Sequence, residues 1–165
     1  MADDLRGVQA LYRILDSIST EMYENPFCNK VTRGKLDEVD LAKMTIFPMA
    51  HIVLDSVTNN VGSLTFNLTI YNLDIVDISK ESDDVQKDNP KSYLYGNDNL
   101  IYIYTNQLYV INRLLSRLRD SNYFEAGWQL EGSPESQFID KEMENMLAGY
   151  MTAISISVPN DISKC

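Results

Sequence analysis

Histidine and cysteine are nearly absent: the 165-residue chain has one histidine, His51, and two cysteines, Cys28 and Cys165. So sparse a set cannot supply the clustered imidazole and thiolate ligands of a zinc site. The distant cysteines read as free thiols of a reducing compartment rather than as a disulfide framework. Glycine is scarce as well, with seven residues, most of them at turns. Neither G-x-G-x-x-G nor a P-loop occurs, so no phosphate cradle is encoded. No apolar run approaches the roughly 20 residues of a membrane span, and no basic start with an apolar run behind it suggests a secretory leader. Basic residues are outnumbered, 14 against 24 acidic, for a net charge of −10. Like charge repels phosphates and anionic lipid heads, which disfavours tracking along a DNA backbone as the main role.

What is present reads as one globular domain over 1–165. The composition is 44% hydrophobic and 23% charged, and a chain of this length buries enough surface to fold without disulfides or metal. Leu5, Val8, Leu11, Tyr12, Leu15, Ile18 and Met22 recur at helical spacing behind Asp3 or Asp4 as N-cap, and Asn25-Pro26 ends the stripe. Residues 27–43 show no clear period. A strand is expected within Met44–Val57, then a turn at Thr58–Gly62. A second strand alternates Leu64, Phe66, Leu68 and Ile70 with polar neighbours. The alternation slips after Ile70, which suggests a bulge or strand end near Tyr71–Asn72. Residues 79–99 are polar and acidic and read as a long projecting loop.

A second helix follows, with Leu100, Ile103, Tyr104, Gln107, Leu108, Ile111, Leu114, Leu115 and Leu118 on its apolar stripe and Asn97 or Asp98 as cap. Strands are then expected at Ala126–Leu130 and Thr152–Val158, with a polar connection over Glu135–Leu147. The order helix, hairpin, helix, hairpin predicts an α+β fold: a four-stranded, mostly antiparallel sheet with both helices on one face. The other face, carrying Thr, Ser, Asn and Tyr, is left free for water or another subunit.

Candidate chemistry is thin. His51 lies on a strand with Asp55 four residues on, but no nucleophile motif accompanies them; a strand-face or subunit-contact histidine is the plainer reading. Asp83, Asp84 and Asp88 form the one dense carboxylate group, and it reads as a solvated loop rather than a cation site. No catalytic residue, metal or other cofactor is expected. Arg113, Arg117 and Arg119 make the one basic run, suited either to the dipole at a helix C-terminus or to docking an acidic neighbour. Among ten tyrosines, Tyr93, Tyr95, Tyr102, Tyr104 and Tyr109 gather around the second helix, and tyrosine favours interfaces. Tyr71, Tyr93, Tyr95, Tyr102, Arg113 and Arg117 are therefore the candidate contact residues.

The phrases PMAHIVLDSV…GSLTFNLTIY and NQLYVINRLLSRLRD, with the closing Ala148–Ile156 segment, resemble in pattern and order the tail terminator (tail-completion, neck) proteins of tailed bacteriophages. The likeness runs over about residues 4–160. The abundance of Asn, Ile, Tyr and Asp further suggests phages of Bacteroidetes, crAss-like ones among them. The resemblance implies a homomeric ring, hexameric or dodecameric, in the virion neck. Such a ring docks portal, connector or tail proteins and lets DNA pass through its channel without specific binding. The acidic segment 79–99 departs from the family pattern, and Asp83, Asp84 and Asp88 would lie in it at the channel or a neighbouring subunit. Two other classes stay open. One is an acidic, DNA-mimicking inhibitor of a host protein, although the carboxylates are dispersed rather than aligned. The other is a small enzyme relying on His51 and Asp55.

Overall fold

In a computed structural model, the described residues are 8–36, 46–77, 98–120, 127–142 and 146–160. The elements run α1 (Val8–Tyr23), β1 (Lys30–Arg33), β2 (Met49–Asn60), β3 (Ser63–Ile75), α2 (Leu100–Leu118), β4 (Gln129–Leu130), β5 (Ser136–Glu142) and β6 (Leu147–Pro159). The α+β class agrees with expectation, but the four-stranded sheet does not: the sheet has six strands in the order β1-β2-β3-β6-β4, with β5 also on β6. It is mixed, because β1 pairs parallel to β2. The helix–hairpin–helix–hairpin order is corrected accordingly. A short strand precedes the first hairpin, and two strands precede β6.

Both helices do lie on one face of the sheet. From α1 come Ala10, Ile14, Ile18 and Met22, each four residues after the last and 0–1% exposed. From α2 come Val110, Ile111, Leu114, Leu115 and Leu118. These meet Leu64, Phe66, Leu68 and Ile70 of β3 and Ile154, Ile156 and Val158 of β6 in the main core. Truncating a fully buried leucine here, such as Leu114, would cost about 2–5 kcal/mol. The expected stop at Asn25-Pro26 is built as an Asx turn, in which Asn25 Oδ1 accepts from the Phe27 amide at 3.1 Å.

Further along the same face the apolar pattern pauses. Asn72, Gln107 and Thr152 are buried and lie, on their respective elements, between the main core and a smaller cluster of Val76, Ile103 and Ala148. Gln107 Nε2 donates to the Phe27 carbonyl at 3.3 Å. The hydroxyls of Thr152 and Ser136 are 2.7 Å apart.

The expected irregularity at Tyr71–Asn72 is absent. The ladder between β3 and β6 is unbroken from Ser63↔Pro159 to Ile75↔Leu147. What changes after Ile70 is which face is closed. Leu73 belongs to a second cluster, with Phe47, Met49, Ile139 and Leu147, on the side away from the helices. The bulge sits instead on β2, where the register shifts between Leu54↔Leu68 and Ser56↔Asn67 and leaves Asp55 as the extra residue. At the hairpin tip Gly62 has φ 89°, so the turn is two residues, Val61-Gly62, tighter than the expected Thr58–Gly62.

Candidate functional site

The face opposite the helices is divided. Its half around Met49, Leu73 and Leu147 is apolar and closed, with these three residues 0% exposed. The expectation of a wholly free polar face is therefore wrong for this half. Tyr71 is half-buried there and packs on the second cluster together with Met151.

Towards the hairpin tip the same face is open, and on β2, β3 and β6 it is uncharged but for Asp55. Cross-strand pairing aligns Thr58 with Thr65, Thr65 with Ser157, Ser56 with Asn67, and Asn67 with Ser155. Asn67 Nδ2 donates to Ser56 Oγ at 2.9 Å, and Ser155 Oγ donates to Asn67 Oδ1 at 2.7 Å. One polar ladder thus crosses three strands. Beside it, Thr69 Oγ1 donates to Asp55 Oδ2 at 2.6 Å. These groups satisfy one another, so the surface is a rigid sheet of hydroxyls and amides with no convergent base or nucleophile. Alongside it, β1 covers β2 through the pair Arg33↔Ile52. Among the described residues no strand pairs with Val53–Asn60 on that side, and Leu54 and Val57 are 48% and 47% exposed.

His51 is 0% exposed and works as a fastener. Its Nε2 lies 3.1 Å from the Gly34 carbonyl, which only accepts, so that nitrogen carries the proton. Its Nδ1 lies 2.8 Å from Thr32 Oγ1 and accepts from the hydroxyl. The imidazole thereby ties the four-residue β1 to β2. Asp55 is exposed and bonded to Thr69, so the sequence pair His51–Asp55 forms no acid–base dyad. Cys28, a buried free thiol, has its pKa pushed up to about 11 by burial and is poorly suited to attack at neutral pH.

On α2, Tyr102 is 49% exposed. Arg117 Nε lies 3.7 Å from Glu21 Oε1 of α1, and Arg113 is half-buried. The helix starts on Asn99, whose Oδ1 accepts from the Asp77 amide at 2.8 Å. Asp98 caps from one residue earlier, accepting from the Leu100 amide at 3.2 Å. Lys141, turned out of β5 at a second bulge with φ 49°, reaches Asp98 at 2.8 Å. The ammonium holds the Asp98 carboxyl below its ordinary value, and the carboxylate raises the Lys141 pKa. Tyr104 donates to the Ile139 carbonyl at 3.2 Å and stacks edge-on to Phe138 at 5.0 Å. Its pKa is raised by burial first, then by the nearby Asp140 charge.

Two surface grooves flank these features. One of about 310 Å³ lies between the hairpin tip and Trp128 and has no charged lining. The other, of about 230 Å³ between α1 and β1, has Asp16 and Arg33. Among the described residues no group of His, Cys, Asp or Glu converges to hold a metal, and no helix is long and apolar enough to cross a membrane. Tyr93, Tyr95, Asp83, Asp84 and Asp88, and the 79–99 loop except Asp98 and Asn99, lie outside the described residues. Compared with known proteins, the chain matches no family profile and has no significant relative among curated proteins.

Proposed function

We propose that this protein is a structural subunit that assembles into a homomeric ring at the head–tail junction of a tailed phage, docking portal or tail components around a DNA channel. The observation that carries the reading is the open half of the sheet: a rigid, internally hydrogen-bonded and nearly uncharged face beside Val53–Asn60, whose edge away from β3 has no strand partner among the described residues. An edge of this kind is a template for pairing with a neighbour, and a head-to-tail contact that closes on itself makes a ring. A wall of Thr, Ser and Asn offers phosphates no cation, so DNA would pass without being held. The resemblance in sequence pattern to tail terminators supplies the location in the virion neck. Among the described residues the exposed carboxylates Asp16, Glu24, Asp55, Glu131, Glu135 and Asp140 are dispersed over α1, β2, β5 and the connections rather than strung along one element, which weighs against a DNA mimic.

Mass photometry and negative-stain microscopy of the purified chain test the reading. Annular particles of a single discrete stoichiometry, hexameric or dodecameric, are expected. A chain that never closes into rings at high concentration, and is missing from purified virions, would overturn it.

A further inference from the structure

The sequence stripe on α2 was expected to face the core as a whole, yet the helix is apolar on its outer side too. Ile101, Tyr102, Leu108 and Tyr109 are 41%, 49%, 40% and 51% exposed. With Thr105 between them they follow the spacing of one helical face. In a chain with 24 acidic residues, Leu100–Leu118 contains none. At the N-terminal end the surface continues onto Phe138, 67% exposed.

The charge along α2 is also polar. Arg113, Arg117 and Arg119 stand at its C-terminal end. Asp98 and Asp140 stand at its N-terminal end, where both carboxylates act on Tyr104; Lys141 pairs with Asp98, so the excess charge at that end is the single negative charge of Asp140. Arg117 is not used up by Glu21: its side chain stays 51% exposed in that loose pair.

We infer that the outer face of α2 is a two-fold contact with a second copy of this chain, the two helices running antiparallel and crossing at Leu108. Reversal about that point brings Arg113 of each copy level with the other's Tyr102–Tyr104 turn and Asp140, and Arg117 level with Asp98 and Asn99. Ile101 and Tyr102 of each copy meet the short exposed residues Asn112 and Ser116 of the other. The helix dipoles oppose one another, which favours the antiparallel sense. A uniformly acidic partner would be repelled at one end of this surface and a uniformly basic one at the other. A second copy in reverse satisfies both ends at once. This contact does not rest on the ring reading, because a cyclic ring needs a head-to-tail contact and this one is self-complementary. Added to a ring, it would join two rings face to face.

The decisive probe is a single cysteine, Leu108→Cys, in a Cys165→Ser chain that keeps the buried Cys28. A residue on a two-fold axis meets its own copy, so mild oxidation should convert most of the chain to a covalent dimer. Thr20→Cys, exposed on α1, should not cross-link. By sedimentation, Arg113→Glu should weaken dimerisation at least tenfold, and Asp140→Lys in the same chain should restore it. Leu108→Cys remaining monomeric under oxidation overturns the contact, as does Tyr109→Asp leaving sedimentation unchanged while circular dichroism shows a folded chain. Cross-linked dimers without rings would support the contact and count against the ring reading alone.

Discussion

Gly149 shows most sharply how one residue decides whether this sheet can form. It lies in β6 opposite Leu73, with φ 151°, and a Cβ there would overlap the Asn72 carbonyl oxygen and fall 3.2 Å from the Leu73 Cα. Both obstacles are backbone of the central strand β3, so neither can move without breaking the ladder. Gly149→Ala should therefore destabilise by more than about 4 kcal/mol, the range reserved for severe steric conflict. Gly62→Ala is the control. Its Cβ would meet open space, and only the strain of φ 89° remains, costing about 1 kcal/mol. Urea denaturation of the two variants measures the difference, and equal midpoints would refute the close-approach argument. The clash at Gly149 was not legible in the sequence, whereas Gly62 was readable as a turn residue within Thr58–Gly62. A close approach between β3 and β6 depends on pairing across more than seventy positions. His51 was half legible. Its place on a strand face was readable, but its partners Thr32 and Gly34 come from a segment with no period of its own.

At the scale of elements, legibility followed amphipathic contrast. The alternation of Leu64 to Ile70 and the helical stripes of α1 and α2 stood out because each buries one side far more deeply than the other. β1 was missed because four residues carry too little pattern and its parallel pairing is non-local. β5 was read as a connection because it is an outer strand whose Phe138 is exposed and whose Ile139 is the one residue in the second core. Its attachment is nonetheless specific: Tyr104 bonds its backbone, and Lys141 pairs with Asp98 at the start of α2. The pair sets a pH window. Asp98 has a folded pKa below its ordinary 3.8, so its contribution is present above about that pH and is lost as pH falls through the lowered value. Lys141 has a folded pKa above its ordinary 10.5, so its contribution is present below that pH and is lost as pH rises through the raised value. The tie between β5 and α2 is thus intact between the two ordinary values, 3.8 and 10.5, and is lost beyond the shifted value on either side. Carboxylate NMR should find Asp98 titrating below 3.8, and Lys141→Ala should move its midpoint upward. An unchanged midpoint would mean that the Leu100 amide, not the ammonium, holds the charge.

For the whole molecule, the balance of charge and shape separates a surface that transmits DNA from one that grips it. The net charge of −10 was visible at once, and it disfavoured tracking along a DNA backbone. The open face bears an uncharged ladder of Ser56, Asn67 and Ser155 flanked by Thr65, Thr69 and Ser157. That Thr65, Asn67 and Thr69 share a face, and Ser155 and Ser157 likewise, could be read from the alternation, but that Ser56 joins Asn67 could not, because it depends on the bulge at Asp55. In a ring built on this wall, DNA would be excluded weakly by the overall charge and held by nothing. Converting Thr65, Thr69 and Ser157 to lysine tests that balance without touching the ladder. The native chain should show no measurable binding to duplex DNA near physiological salt. The triple variant should bind, and its affinity should fall with salt at a logarithmic slope of about −3 per subunit, one step for each phosphate neutralised. Fluorescence anisotropy across a salt series reads both numbers. Tight, salt-sensitive binding by the unaltered chain would show that cations elsewhere on the surface govern its behaviour towards DNA, and the freely sliding channel would have to be abandoned.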